Sequence, residues 1–371
     1  MTGRRRKGTR TVGDDTGANG TRNAEEAMDI LVLDVAASES GALSILRQYY
    51  ADFLKDAENR YILCVSAVEL ESKGNVTVLK YPWVKRSWLH RLWFEFRELG
   101  KLEETCQPDR IFSLQNVLFT NRKCEKWIYL HQPLPYVPIR FKLRENPKLW
   151  TYQNVIGKLI NASLRRADKV IVQTKWIKEA CVRAAKIAPE KVEIISPAIN
   201  AADVIPYRAK GKRVERLFYP ATALEYKNHM TLLKAIQIIK DKGDLPDLSL
   251  SLTVSGDENP FAQRLRAFSD ENRLPVEFLG QLPRNEVMRL YAESTLIFPS
   301  YIESFGLPLL EARTSNAPII ASDCPFSREI LEGYADAAFF DPFDARNCAD
   351  AITDFFGVKP GNDKIPFFGL E

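Results

Sequence analysis

No Cys-x-x-Cys pair occurs in the 371 residues, and the six cysteines (Cys64, Cys106, Cys124, Cys181, Cys324, Cys348) stand far apart. That scatter excludes a disulfide framework and a Cys-based zinc site, and it reads as reduced, cytosolic thiols. No apolar run is long enough to cross a bilayer as a helix. The first strand-to-helix loop is not Gly-x-Gly-x-x-Gly, so dinucleotide binding is unsupported. No Asp-x-Asp occurs, so nothing suggests a metal-bridged diphosphate and no metal ligands are assigned. Histidine is scarce, with only His90, His131 and His229. Charge of one sign is lacking too. Lys plus Arg number 52 against 48 Asp plus Glu, a net +4 that by itself marks neither a nucleic-acid binder nor a binder of acidic substrates.

What remains is ordinary globular composition, 45% hydrophobic and 27% charged, over a length that favours two domains. Residues 1–27 are polar and basic and read as a disordered tail. Met28 stands directly before the first strand, so this tail also reads as sequence upstream of a natural start. From 28 to 200, short apolar strands alternate with helical runs. Residues 201–213 are polar, broken by Pro206 and Gly211, and mark a linker. Strand–helix alternation resumes from 214 to 356, and 357–371 forms a short tail. This is an α/β pattern of two doubly wound, Rossmann-like domains facing a cleft.

The most informative stretch runs from Phe298 to Ala312. The apolar run Thr295–Phe298 ends at Pro299 and Ser300, Gly306 allows a tight turn, and Pro308 suits the first turn of a helix. A helix start is a natural place for phosphate, here at Ser304, Phe305, Gly306 and Leu307. Glu303 and Glu311 bracket it as acceptors for hydroxyl groups. An anion place between two hydroxyl acceptors describes a nucleotide-sugar. Other strand ends add to it. Lys227 precedes a helix predicted from His229 to Ile239, with Asn228 as its cap. Gly256 lets the backbone approach a ligand after the strand Leu250–Val254. His131 ends the strand Lys126–Leu130, where open α/β sheets hold ligands. Thr174 is expected to cap the next helix.

Glu303 and Glu311, with seven residues between them and Ser-Phe-Gly-Leu-Pro inside, resemble the Glu-x7-Glu element of retaining GT-B glycosyltransferases, in particular glycosyltransferase family 4. The likeness is close from about Leu217 to Ile352 and looser from Met28 to Asn200. It implies the GT-B fold, a nucleotide-sugar donor in the second domain and an acceptor presented by the first. It further implies retention of anomeric configuration without a metal or other cofactor. By that resemblance Glu303 orients the transferred hexose, Glu311 the ribose, and His131 approaches the sugar from the opposite wall. Leu282 meets the base, and Gly41 lines the cleft from the first loop. The family's Arg, five residues before the Lys, is Thr222 here. Either Lys227 and the helix dipole suffice, or Arg313 or Arg328 takes its place. The implied role is glycan or lipid-linked polysaccharide synthesis in the cytoplasm. The alternatives are another GT-B chemistry such as epimerisation, or a truncated, weakly active membrane-associated homologue.

Residues 81–101 are rich in aromatic and basic side chains. Pro82 and Gly100 punctuate a predicted helix, with Val84, Trp88, Leu92, Trp93, Phe96 and Leu99 on one face. That face reads first as packing on the sheet. Trp83, Trp88 and Trp93 beside Lys85, Arg86 and Arg91 also suit an anionic membrane surface, on the inner face of the cytoplasmic membrane.

Overall fold

The computed structural model describes residues 27–37, 40–209 and 215–358. The first sheet has seven strands in the order β3-β2-β1-β4-β5-β6-β7, all parallel. They are β1 (Asp29–Asp34), β2 (Arg60–Val65), β3 (Val76–Lys80), β4 (Arg110–Ser113), β5 (Glu125–Leu130), β6 (Lys169–Val172) and β7 (Val192–Ile194). The second sheet runs β10-β9-β8-β11-β12-β13, again parallel. Its strands are β8 (Arg216–Tyr219), β9 (Ser249–Leu252), β10 (Val276–Phe278), β11 (Thr295–Phe298), β12 (Ile319–Ser322) and β13 (Ala337–Phe340). Strands covered on both faces must be apolar throughout, and Leu31–Leu33, Leu296–Phe298 and Ile319–Ala321 are almost wholly buried.

Helices α1 (Ser40–Lys55), α2 (Trp88–Trp93), α3 (Leu99–Cys106), α4 (Pro147–Thr151), α5 (Gly157–Arg166) and α6 (Lys175–Ala185) belong to the first domain. The second holds α7 (His229–Lys242), α8 (Pro260–Glu271), α9 (Arg284–Tyr291), α10 (Leu307–Thr314), α11 (Pro325–Ile330) and α12 (Ala345–Phe355). In each sheet the strand order reverses once, between β1 and β4 and between β8 and β11. Such reversals splay the connecting loops apart and open a crevice at the carboxyl ends of the strands.

Three local expectations give way. Residues 81–101 are not one helix ending at Gly100. A 3-10 turn (Pro82–Arg86), α2, a π turn (Phe94–Glu98) and α3 follow in series. The π turn takes an extra residue and rotates the face. Val84, Phe94 and Leu99 are buried, while Trp93 and Phe96 turn to solvent. Gly41 lies in the first turn of α1, not in the loop before it. Val204, Ile205 and Tyr207, within the polar stretch 201–213, pack on the second core. Tyr207 N–H donates to Ser315 O (2.7 Å) and Arg208 N–H to Ala292 O (2.9 Å). The basic tail and most of the C-terminal tail fall outside the described residues.

Candidate active site

The loops after β8 and β11 flank the reversal of the second sheet, and they carry Lys227 and Glu303. Lys227 Nζ donates to Glu303 Oε1, which also accepts from Ser300 Oγ (2.8 Å). Both charged side chains are about one-sixth exposed, at 18% and 16%. Asn228 has φ +64°, and its side chain does not cap α7. Its Nδ2 donates instead to Pro299 O (3.1 Å) and Pro342 O (2.7 Å), tying the Lys227 loop to the loop leading into Glu303.

Gly306 adopts φ +95° at the start of α10, and among the described residues no side chain caps that start. A Cβ there would lie 3.2 Å from Leu309 Cδ1. The turn therefore needs glycine for its backbone angle and its packing. Phe305 is buried in the second core, and Leu307 and Leu282 are half-buried against it. Ser304 Oγ donates to Gln173 Oε1 (2.8 Å), across the domain boundary.

Glu311 is 6% exposed and both of its oxygens are occupied. Arg284 Nη1 donates to Oε1 (2.5 Å) and Tyr291 OH to Oε2 (2.9 Å). Burial and the adjacent carboxylate push the Tyr291 hydroxyl far above its ordinary range, so it stays a proton donor. Thr222 is exposed in the loop after β8. Both arginines named as its substitute are engaged elsewhere in the free protein. Arg313 donates to the carbonyls of Ile330 and Glu332, and Arg328 forms a two-pronged pair with Asp323 (2.7 and 2.7 Å). Gly256, at φ +89°, lies in a loop whose N–H groups at 255, 256 and 257 all donate to the Glu258 carboxylate (2.9, 2.8 and 3.0 Å).

The facing wall comes from the first sheet. His131 is half-buried after β5. Burial pushes its imidazole down to about 4, so it is neutral near pH 7. Asn116, after β4, holds the start of this loop. Its Oδ1 accepts from His131 N–H (2.7 Å) and Gln132 N–H (3.0 Å), and its Nδ2 lies 3.1 Å from His131 Nε2. Asp34, at the end of β1, is pushed up to about 7 by burial, against the pull of the Ala37 N–H, Arg91 and Lys85.

The two walls touch. Leu134 and Val137, just beyond His131, pack with Ile302, just before Glu303. Thr174 Oγ1 donates to Ser304 O (2.9 Å) and accepts no N–H from its own helix. The start of α6 is served instead by Glu329 of the second domain, which accepts from Lys175 N–H (2.7 Å) and Trp176 N–H (3.1 Å). His131 and Glu303 thus lie on loops that share one apolar seam.

The model for glycosyl transferases group 1 matches residues 207–360, and that for glycosyltransferase family 4 matches residues 49–203. The chain belongs to this glycosyltransferase family. The matched ranges place the two carboxylates, Lys227 and the uncapped helix start in the first family model, and Asn116 and His131 in the second. An O-antigen chain mannosyltransferase of Salmonella typhimurium is 27% identical over 198 residues, 52% of each chain. A D-inositol 3-phosphate glycosyltransferase of a Mycobacterium species is 28% identical over 163 residues, 42% of this chain and 37% of the relative. The likeness thus spans about half the length of these relatives or less. The GT-B fold is shared with sucrose-phosphate synthase from Thermosynechococcus elongatus (TM-score 0.69, 17% identity, 89% and 92% of the two chains). It is shared also with an Anabaena protein solved with UDP and glucose (TM-score 0.64, 15% identity, 89% and 90%).

Sequence reasoning missed Arg284, Tyr291, Asn116 and Gln173. Arg284 and Tyr291 lie 27 and 20 residues before Glu311, with β11 between, and the packing of α9 against α10 joins them. Asn116 carried one signal, since an Asn just after a strand is suited to the left-handed turn it adopts, at φ +69°.

The cationic-aromatic segment divides. Arg91 pairs with buried Glu95 (2.8 Å), and Lys85, although exposed, donates from Nζ to Ala37 O (2.9 Å), so both cations have protein partners. Trp83 is half-buried against Tyr81, His90 and Phe94. The Trp88 side chain lies outside what is described. Arg86 and Trp93 remain exposed. Trp93 is joined at the surface by Leu89 and Phe96, 54%, 76% and 69% exposed, and the Arg97 guanidinium lies over its ring at 5.5 Å.

Proposed function

We propose that this protein transfers a hexose from a nucleotide-diphosphate sugar to a glycan or lipid-linked acceptor, with retention of configuration, in surface polysaccharide synthesis. The observation that carries this reading is the Lys227–Glu303 pair at the strand-order reversal, beside the uncapped start of α10. The diphosphate would lie at that start, with Lys227 and the backbone N–H groups of Gly306 and Leu307 taking up charge as it departs. Those contacts strengthen as charge grows, so they lower the barrier and do not merely bind the donor. No metal is needed in this reading, because the lysine and the helix end supply the positive charge. Glu303, released from Lys227, would orient the sugar. Glu311, held by Arg284 and Tyr291, would face the ribose. His131 would reach the sugar from the other wall. The sugar C1–phosphate bond breaks, the acceptor oxygen bonds C1 on the same face, and the acceptor proton passes to the phosphate oxygen. The names of the relatives, and the UDP-glucose bound by the Anabaena neighbour, support a hexose donor of this class.

We propose further that Leu89, Trp93 and Phe96, with Arg86 and Arg97 beside them, rest on an anionic membrane surface and bring the cleft to a lipid-linked acceptor. An open groove of about 600 Å³ lined by Tyr81, Trp83, Leu89, His90, Trp93 and Glu98 adjoins this patch. The test of the transferase reading is turnover of UDP-, GDP- and ADP-hexoses by the purified chain, with and without lipid-linked acceptors. Acceptor-dependent release of a nucleoside diphosphate supports it. Conversion of the donor to an epimer without release overturns it.

A further inference from the structure

Asn116 has one arrangement open to it. Its Oδ1 accepts two backbone N–H groups, those of His131 and Gln132, at 2.7 and 3.0 Å. Only an oxygen can do this, since an NH2 in that place would face two other donors. The amide orientation is therefore fixed, and its NH2 is the group 3.1 Å from His131 Nε2. An NH2 offers protons and no lone pair, so Nε2 must accept. In a neutral imidazole the remaining proton then sits on Nδ1. Nδ1 is buried and has no hydrogen-bond partner among the described residues. A buried donor without an acceptor is costly, so it is a place that a ligand oxygen would complete. Asn116 itself holds φ +69°, a conformation that Asn tolerates better than most residues. The backbone is bent to aim this one amide at the loop.

We infer that Asn116 is a positioning residue that fixes His131 as the Nδ1–H tautomer, making His131 a standing hydrogen-bond donor to a substrate oxygen and not a proton acceptor. The ligand half of this inference rests on the transferase reading; the tautomer half does not. Gln115, the neighbour of Asn116, is itself held, since its Nε2 donates to buried Glu95 (2.7 Å).

The tautomer is read directly from long-range proton–nitrogen correlations of protein labelled with nitrogen-15 in histidine. There are three histidines, and the His131 signal is identified by its loss in His131→Gln. The free wild-type protein is expected to show protonated Nδ1 and bare Nε2. Asn116→Asp keeps an oxygen for the two backbone N–H groups but puts an acceptor opposite Nε2, so a proton should appear on Nε2. A wild-type ring protonated on Nε2 alone overturns the inference, as does an Asn116→Asp protein whose Nε2 stays bare. Turnover tests the donor half. His131→Asn keeps an N–H donor where Nδ1 lies, whereas His131→Gln places its amide where Nε2 lies. Turnover is expected to fall about tenfold further in His131→Gln than in His131→Asn, the size of one hydrogen bond. Equal losses in the two variants overturn the donor role. Absence of any donor turnover alongside a protonated Nδ1 would overturn the transferase reading and leave the tautomer standing.

Discussion

Lys227 and Glu303 are bonded to each other across the mouth of the second sheet, with Ser300 donating to the same carboxylate oxygen. The cation suited to a diphosphate and the carboxylate suited to a sugar hydroxyl are each other's partner in the free protein. A donor would break this pair and replace both halves. Lys227→Met should therefore weaken binding of a nucleoside diphosphate by roughly 10- to 100-fold, the range of a hydrogen bond to a charged group. Glu303→Gln loosens the pair without touching the diphosphate contacts. It should bind the free nucleoside diphosphate at least as tightly as wild type while losing turnover. Calorimetric titration separates the two, and weaker diphosphate binding by Glu303→Gln would contradict the exchange.

Glu311 depends on partners from α9. Tyr291 is buried and Arg284 is half-exposed, so the tyrosine is the partner least replaceable by water. Tyr291→Phe leaves one oxygen of a buried carboxylate short of a proton, at a cost of about 2 kcal/mol. For a domain of this size the melting temperature should drop by roughly 4–8 °C. Arg284→Ala should cost less, because water can reach the vacated oxygen. Scanning calorimetry checks the order, and an unchanged melting temperature in Tyr291→Phe would remove the tyrosine from the account.

Much of this site was legible in strand ends. Lys227, Glu303 and His131 each follow an apolar run that is long enough to be a strand and then broken, and parallel sheets gather such ends at one edge. What side chains do at helix starts was less legible. Thr174 and Asn228 occupy cap positions, yet both spend their hydrogen bonds on other loops, on Ser304 O and on Pro299 O and Pro342 O. Cap preference describes an isolated helix, and long-range partners outbid it here. The π turn at Phe94–Glu98 likewise broke a face drawn at ordinary helical spacing, so that buried Glu95 now lies between exposed Trp93 and Phe96.

Asp34 gives the protein a pH signature. Its carboxyl is pushed from 3.8 to about 7 in the folded state. Between those values the native state binds more protons than the unfolded chain, so stability falls as pH rises, on the order of 4 kcal/mol at most. His131 and His229, pushed down to about 4 and about 3, act oppositely, and their contribution is lost as pH falls below about 6.5. Asn in place of Asp34 keeps the oxygen that accepts the Ala37 N–H and removes the titration. Relative to wild type, Asp34→Asn should be more stable at pH 8 than at pH 5, read by chemical denaturation. A difference independent of pH would contradict the assignment.

The exposed patch on the first domain makes a separate prediction. Leu89, Trp93 and Phe96 each contribute about 1.5–3 kcal/mol if they pass fully from water into the membrane interface. Replacing all three with Ser should lower binding to anionic vesicles more than tenfold in a flotation assay, with donor binding unchanged. Unaltered flotation would remove this face from the membrane.

The central claim is that the diphosphate lies between Lys227 and α10, with Glu311 on the ribose. The direct measurement is calorimetric titration of UDP and GDP into wild-type protein, Lys227→Met and Glu311→Gln. The account predicts saturable binding of at least one of them to wild type, binding weakened by roughly 10- to 100-fold in Lys227→Met with a smaller salt dependence, and weakened binding in Glu311→Gln. Full-strength binding by both variants would contradict it.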